Sequence, residues 1–310
     1  MHTNTTLVIN WHLTEACNYS CRYCYAKWDE AASSRELIRD PEKTEILLAE
    51  LYRFFAPGNA GNPLRGMIRW NNVRLNLAGG EPLLHHRRLP DVIRQARALG
   101  FEASLITNAS RLTGEMVAAL APHLTWLGIS IDSASGTTNR AIGRADRHGN
   151  QLDLVTLAEA LDAARAAHPQ LNLKLNTVVN TLNTDEDLSP VITRLAPDKW
   201  KVLRMLPMVT DELTVSDEEF NGFVARHQHF ATILCAEDNQ EMRDSYLMVD
   251  PCGRFFQNGQ QEVGQGYIYS QPITEVGAAR AFGDISFDPD RFCARYPLSA
   301  KGALNEILHG

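Results

Sequence analysis

The feature that most constrains this chain is the exchange of two periodicities along residues 6–206. Short runs alternate apolar and polar residues, at 6–13, 73–78, 102–107, 125–132, 172–180 and 200–206. Between them lie helical stretches near 41–55, 88–99, 112–120, 151–167 and 185–195, and in 151–167 Leu154, Leu157, Leu161 and Ala164 share one stripe. Strand and helix in alternation imply right-handed βαβ units and a parallel sheet. Six such units predict an α/β fold, a partial (βα)6 barrel over residues 1–207. After about residue 207 the alternation fades. A helix near 216–229 opens with Ser216 and three acids. Residues 208–310 otherwise read as an irregular cap over the barrel mouth, in one compact unit with it.

The strands have two unlike faces. Arg74 and Asn76 oppose Leu75 and Leu77, and Lys174 and Asn176 oppose Leu173 and Leu175. Likewise Gly128, Ser130 and Asp132 oppose Leu127, Ile129 and Ile131, and Asn10 and His12 oppose Ile9, Trp11 and Leu13. A half-solvated antiparallel sheet gives the same alternation. The intervening helices must cover one face, however, so the apolar face meets helices and the polar face lines a wet lumen, unlike a packed barrel core. Two segments read as loops, 55–66 and 133–151, the second bordering the site.

Three cysteines, Cys17, Cys21 and Cys24, fall within eight residues. A structural zinc site wants four protein ligands, and disulfide pairing leaves one thiol over. Three thiolates from one loop can instead hold three irons of a [4Fe–4S] cube and leave the fourth iron open. A zinc site with a distant ligand, or three chance cysteines, are the alternatives. Cys235, Cys252 and Cys293 are too widely spaced for a second cluster and read as buried or loop cysteines. Met205 and Met208 read as core, and His227 and His229 as residues of a solvated helix.

With 310 residues, 44% of them hydrophobic, the chain can bury one large core. A formal net charge of −7 argues against broad nucleic-acid binding. No apolar run approaches a membrane span, and the start reads at once as a strand, with no signal peptide. Six cysteines without a secreted disulfide pattern suit a reducing compartment. The expectation is a soluble cytoplasmic protein with no membrane or nucleic-acid partner.

The cysteine loop resembles that of the radical S-adenosylmethionine (radical SAM) superfamily, and the Gly79-Gly80-Glu81-Pro82 run after the second strand resembles its contact to the methionine amine. The resemblance sharpens to the viperin family through "CNYSC", "LNLAGGEP", "ITNAS", "ISIDS", "AIGR", "LKLNTVVN", "DKWKVL", "SDEEFNGFVARH" and "NQEMRDSYLMVD". Viperins convert CTP, and in prokaryotic relatives also UTP or GTP, to 3′-deoxy-3′,4′-didehydro nucleotides that terminate viral RNA synthesis. The resemblance implies a [4Fe–4S] cluster and S-adenosylmethionine as cofactors, and a reductase, flavodoxin or ferredoxin as electron donor.

Carried over by residue, the resemblance makes Gly79, Gly80, Glu81, Asn108, Ser130 and Arg144 contacts to S-adenosylmethionine. Ser130 would face its ribose and Arg144 its carboxylate, and Asp132 shares the face of Ser130. Arg74, Asn76, Lys174, Asn176, Lys199 and Lys201 become the nucleotide side, their cations converging on a triphosphate. Here Arg74 stands where the family more usually has Lys, Ala78 where it has Ser, and Lys199 where it has Arg. Tyr246 matches a viperin tyrosine, implying a hydrogen or proton donor to the ribose intermediate. Radical modification of a peptide or other small molecule, and a non-catalytic iron–sulfur sensor or electron carrier, remain alternatives.

Overall fold

A computed structural model describes residues 2–3, 6–26, 35–258 and 266–295. Its centre is a ten-stranded sheet: β1 (Thr6–His12), β2 (Asn72–Ala78), β3 (Glu102–Thr107), β4 (Trp126–Ser130), β5 (Asn172–Val179), β6 (Lys199–Arg204), β7 (Leu234–Glu237), β8 (Leu247–Val249), β9 (Arg254–Gln257) and β10 (Ile268–Pro272). In space they run β10–β9–β8–β1–β2–β3–β4–β5–β6–β7. Every neighbouring pair from β8 to β7 is parallel, and β9 and β10 add an antiparallel ribbon beyond β8.

Helices α1 (Pro41–Phe55), α2 (Leu89–Leu99), α3 (Gly114–Leu120), α4 (Gly136–Ile142), α5 (Leu154–Ala167), α6 (Ser189–Leu195) and α7 (Asp217–Arg226) follow in order along the chain. Their starts obey local chemistry. Asp40 caps α1 by accepting from Lys43 N at 3.1 Å, with Pro41 in the first turn. Ser216 and Glu219 close a reciprocal capping box on α7.

One face of the sheet is the core. Leu7, Ile9 and Trp11 of β1, Leu75 and Leu77 of β2, Leu127 and Ile129 of β4, and Leu173 and Leu175 of β5 pack in one cluster with Leu47, Leu51, Val92, Leu157 and Leu161 of the helices. Each such side chain contributes about 1.5–3 kcal/mol by leaving water. The alternate residues of the same strands are turned to the lumen, so the two-faced pattern is the fold's organising rule. Met205 and Met208 are buried, Met205 against Tyr23, Ile142 and Leu213 beneath the cysteine loop.

Three expectations need correction. The C-terminal third is not merely an irregular cap: β7 extends the sheet beyond β6, and β8 pairs with β1 at the other end. Strands of four and three residues carry too little alternation to be read in sequence. Residues 259–265 and 296–310 of the expected cap lie outside the described residues. The 133–151 loop contains α4, capped by Ser135, whose side chain accepts from Thr138 N. His227 is fully buried, because α7 ends at Arg226 and the turn carries the ring inward between Trp200 and Phe223. Its Nε2 accepts from Leu188 N at 3.0 Å, and burial holds its pKa below the ordinary histidine range. His229 is exposed, as expected, on a short 3-10 turn.

Candidate functional site

A single cavity of about 950 Å³ fills the lumen. Cys17, Cys21 and Cys24 line one end, at the carboxyl ends of the strands, while Thr6, Glu102 and Asp198 line it near the amino ends.

The cysteine loop is clamped from two sides. Gly80 N donates to Thr14 O at 2.6 Å and Glu81 N to Ala16 O at 2.9 Å. A Cβ on Gly80 would fall 2.0 Å from Ala16 O, so only glycine admits this approach. On the other side Ser20 N donates to Gly143 O at 3.0 Å and Arg22 N to Ile142 O at 2.9 Å. At the loop's start, Glu36, fully buried, accepts from Thr14 Oγ1 at 2.8 Å and Glu15 N at 3.0 Å.

Two donors aim at the first sulfur. Tyr19 N lies 3.4 Å and Asn108 Nδ2 3.8 Å from Cys17 Sγ. Burial pushes the Cys17 thiol up and the Cys21 thiol up to about 12. Such thiols ionise readily only when a metal takes the proton's place. No disulfide joins any of the six cysteines. Among the described residues no three His, Cys, Asp or Glu side chains are drawn together tightly enough for a single metal ion. A cube spreads its irons over separate corners, and three thiols on one cavity wall, with N–H donors to the Cys17 sulfur, fit that group. Cys235 also reaches the lumen wall, on β7 opposite Lys201, away from this loop.

Gly79, Gly80, Asn108, Ser130, Asp132 and Arg144 all line the cavity beside the cysteines. Glu81 does not line it: the carboxylate expected to receive the methionine amine is fully buried beneath the wall. It accepts from Leu83 N at 2.9 Å, Thr107 Oγ1 at 2.6 Å and Asn108 N at 2.7 Å. Burial pushes its pKa up, and these hydrogen bonds oppose that rise. Glu81 therefore ties β3 to the glycine turn. Arg144 is buried, its Nη1 3.1 Å from Asp132 Oδ2 and its Nη2 donating to Ser130 O. Tyr23, inside the cysteine loop, donates to the same Asp132 oxygen. Asp132 Oδ1 accepts from Val178 N at 2.8 Å, so this carboxylate joins the cysteine loop, Arg144 and β5.

Deeper in the lumen are the expected nucleotide residues, Arg74, Asn76, Lys174, Asn176, Lys199 and Lys201. Register sets them side by side: Lys174 opposite Lys199, Asn176 opposite Lys201. Gly128, opposite Lys174, leaves room for it, since a Cβ there would lie 3.3 Å from Lys174 Cε. Burial first, then the charges of Lys201, Arg74 and Lys199, hold the Lys174 ammonium well below the ordinary lysine range. Asn76 is fixed by Nδ2 to Asn10 Oδ1 at 2.7 Å and by Ser104 Oγ to its Oδ1 at 2.7 Å.

Tyr246 also lines the cavity, and its hydroxyl donates to Glu237 Oε2 at 2.9 Å. Glu237 Oε1 is ion-paired with Lys201. Sequence reasoning passed over Glu237; His12, placed on the polar strand face but given no role, is a buried lumen histidine held at a pKa of about 3 by desolvation. Glu237 shares a strand face with Cys235, but a four-residue strand displays one such pair only.

The Radical SAM superfamily profile matches residues 11–195. The S-adenosylmethionine-dependent nucleotide dehydratase of Psychrobacter lutiphocae is 41% identical over 293 residues, 94% of this chain and 95% of that protein. The protein of the same name from Pseudoalteromonas ulvae is 42% identical, covering 94% and 92%. The chain belongs to the viperin-like radical SAM nucleotide dehydratases. Among solved structures, anSMEcpe with bound AdoMet and Kp18Cys peptide matches with a TM-score of 0.64 at 12% identity, covering 95% of this chain and 83% of that one. That likeness shows the radical SAM fold.

As a viperin-like radical SAM enzyme, the chain uses a [4Fe–4S] cluster and S-adenosylmethionine. Cys17, Cys21 and Cys24 fall within the residues that the superfamily profile matches. No described helix is long and apolar enough to cross a membrane.

Proposed function

We propose that this enzyme dehydrates a nucleoside triphosphate, CTP first and UTP or GTP next, to its 3′-deoxy-3′,4′-didehydro derivative. The observation that carries the reading is the order along the lumen: three thiols at one end and four cations, Arg74, Lys174, Lys199 and Lys201, deeper within. A triphosphate matches the cations in charge and brings its ribose toward the cysteine end. The depressed pKa of Lys174 supports an anion there, since a phosphate beside it restores the ammonium and relieves the mutual repulsion.

Cys17, Cys21 and Cys24 would hold the cluster, and Gly79, Gly80, Asn108, Ser130 and Arg144 would border S-adenosylmethionine. With Glu81 enclosed, the glycine turn would present its backbone to the methionine amine. When bound, this cofactor pair supplies a 5′-deoxyadenosyl radical that takes the 4′ hydrogen. Arg74, Lys174, Lys199 and Lys201 fix the phosphates and so the 4′ carbon. Loss of the 3′-hydroxyl as water then needs one proton and one electron. Tyr246 would donate to the ribose, and a reductase, flavodoxin or ferredoxin would restore the electron. A product without a 3′-hydroxyl ends any RNA chain that incorporates it, which gives an antiviral role in the cytoplasm.

The test is anaerobic incubation of reconstituted enzyme with reductant, S-adenosylmethionine and each nucleoside triphosphate singly. Nucleotide-stimulated 5′-deoxyadenosine together with a product lighter by one water supports the reading. Cleavage indifferent to every nucleotide overturns it.

A further inference from the structure

We propose that Glu237 is a positioning residue that couples the grip on the phosphates to the orientation of Tyr246. This rests on the nucleotide reading and deepens it. The carboxylate is 2% exposed. One oxygen pairs with Lys201, which is itself 5% exposed, and the other accepts from the Tyr246 hydroxyl. These two contacts therefore belong to different tasks, one to the phosphate side and one to the ribose.

Topology makes the contact a bridge. Lys201 lies on β6, Glu237 ends β7, and Tyr246 directly precedes β8. β7 is one edge of the sheet, and β8 joins β1 at the far end of the parallel run. Among the described residues no strand pairing connects β7 to β8, so the Glu237–Tyr246 hydrogen bond spans the open side of the barrel. Tyr246 is also braced from behind, where Gln257 Nε2 donates to its carbonyl at 2.7 Å. The Lys201 ammonium lies 5.7 Å from the centre of the Tyr246 ring, so the three groups form one compact unit.

A buried carboxylate is costly to desolvate, and an apolar residue of similar volume often serves a purely structural role as well or better. A carboxylate accepts on both oxygens at once, whereas the Gln amide has one accepting and one donating end. With its oxygen on Lys201, Glu237→Gln can meet Tyr246 only through its N–H, so the hydroxyl would have to accept and its proton would lose the partner that orients it. The substitution also removes the anion that competes with phosphate for Lys201. Nucleotide affinity should then hold or rise while the productive alignment of Tyr246 is lost, and a merely structural role would not separate the two.

The experiment compares wild type, Glu237→Gln and Glu237→Asp as cluster-loaded enzymes with CTP. Calorimetry gives the CTP Kd, and anaerobic turnover gives 5′-deoxyadenosine and dehydrated product separately. For Glu237→Gln we expect a Kd unchanged or tighter and 5′-deoxyadenosine within about threefold of wild type. Product per 5′-deoxyadenosine should fall about tenfold or more, the scale of a lost charged hydrogen bond. Glu237→Asp keeps the charge and should recover part of the yield. Wild-type yield per cleavage in Glu237→Gln would overturn the proposal. Joint loss of cluster, binding and cleavage would also overturn it, making Glu237 a structural brace. A wild type that dehydrates no nucleotide would remove the nucleotide reading and the inference with it. An active wild type matched by Glu237→Gln would remove the inference alone.

Discussion

Gly143 lies so close to Ser20 that a Cβ on it would fall 2.3 Å from the Ser20 carbonyl oxygen. Its φ of +96° adds a second demand for glycine. The cysteine loop and the end of α4 thus fit only without a side chain between them.

Gly143→Ala should displace the cysteine loop at a cost of about 1–3 kcal/mol, the range for overpacking. The variant should lose iron after anaerobic reconstitution and melt lower. Gly222→Ala is the control: it sits within α7 with nothing inside 4 Å of its Cβ position and should melt no lower than wild type. Equal iron content in Gly143→Ala and wild type would remove the clamp from the account.

Lys174→Met tests the basic end. The folded pKa of Lys174 is held below its unfolded value, so below about pH 10.4 the unfolded chain binds more protons at this site. The native lysine therefore costs stability at neutral pH, and that cost vanishes as pH rises past the unfolded value. Lys174→Met should raise the nucleotide-free melting temperature at pH 7 by roughly 2–4 °C, with the gain shrinking toward pH 10. Its triphosphate affinity should fall by about 1.5–3 kcal/mol. A lower melting temperature with unchanged affinity would contradict both halves.

Much of the cavity lining was legible because the lumen repeats one signal. Arg74 with Asn76, Lys174 with Asn176, and Ser130 with Asp132 each stand two apart on strands whose other face is apolar, and the structure turns every one of them inward. What stayed hidden depended on tertiary placement. Glu81 reads as a cofactor carboxylate in sequence, and its burial against Thr107 and Asn108 emerges only from the packing of β3 on the glycine turn. Glu237 and the strands β7 and β8 are too short to show a period, and they gain meaning only from pairing with β6 and β1. His227 lies one residue past a helix whose surface is polar, and the turn of the chain there decides its burial.

Tyr246→Phe removes the hydroxyl that meets Glu237 while nearly preserving volume, so cluster content and nucleotide binding should hold. Dehydrated product should fall at least about tenfold, and far more than 5′-deoxyadenosine, because the step after hydrogen abstraction is the one impaired. Product yield equal to wild type would leave the tyrosine a packing residue.

The most direct measurement of the central claim follows one hydrogen. Wild-type enzyme, reduced anaerobically with S-adenosylmethionine, is given CTP, UTP or GTP carrying deuterium at the 4′ carbon. The account predicts, with the preferred nucleotide, one deuterium in 5′-deoxyadenosine and a nucleotide product lacking that deuterium and the elements of one water. Unlabelled 5′-deoxyadenosine with all three nucleotides, or label retained in every recovered nucleotide, would contradict it.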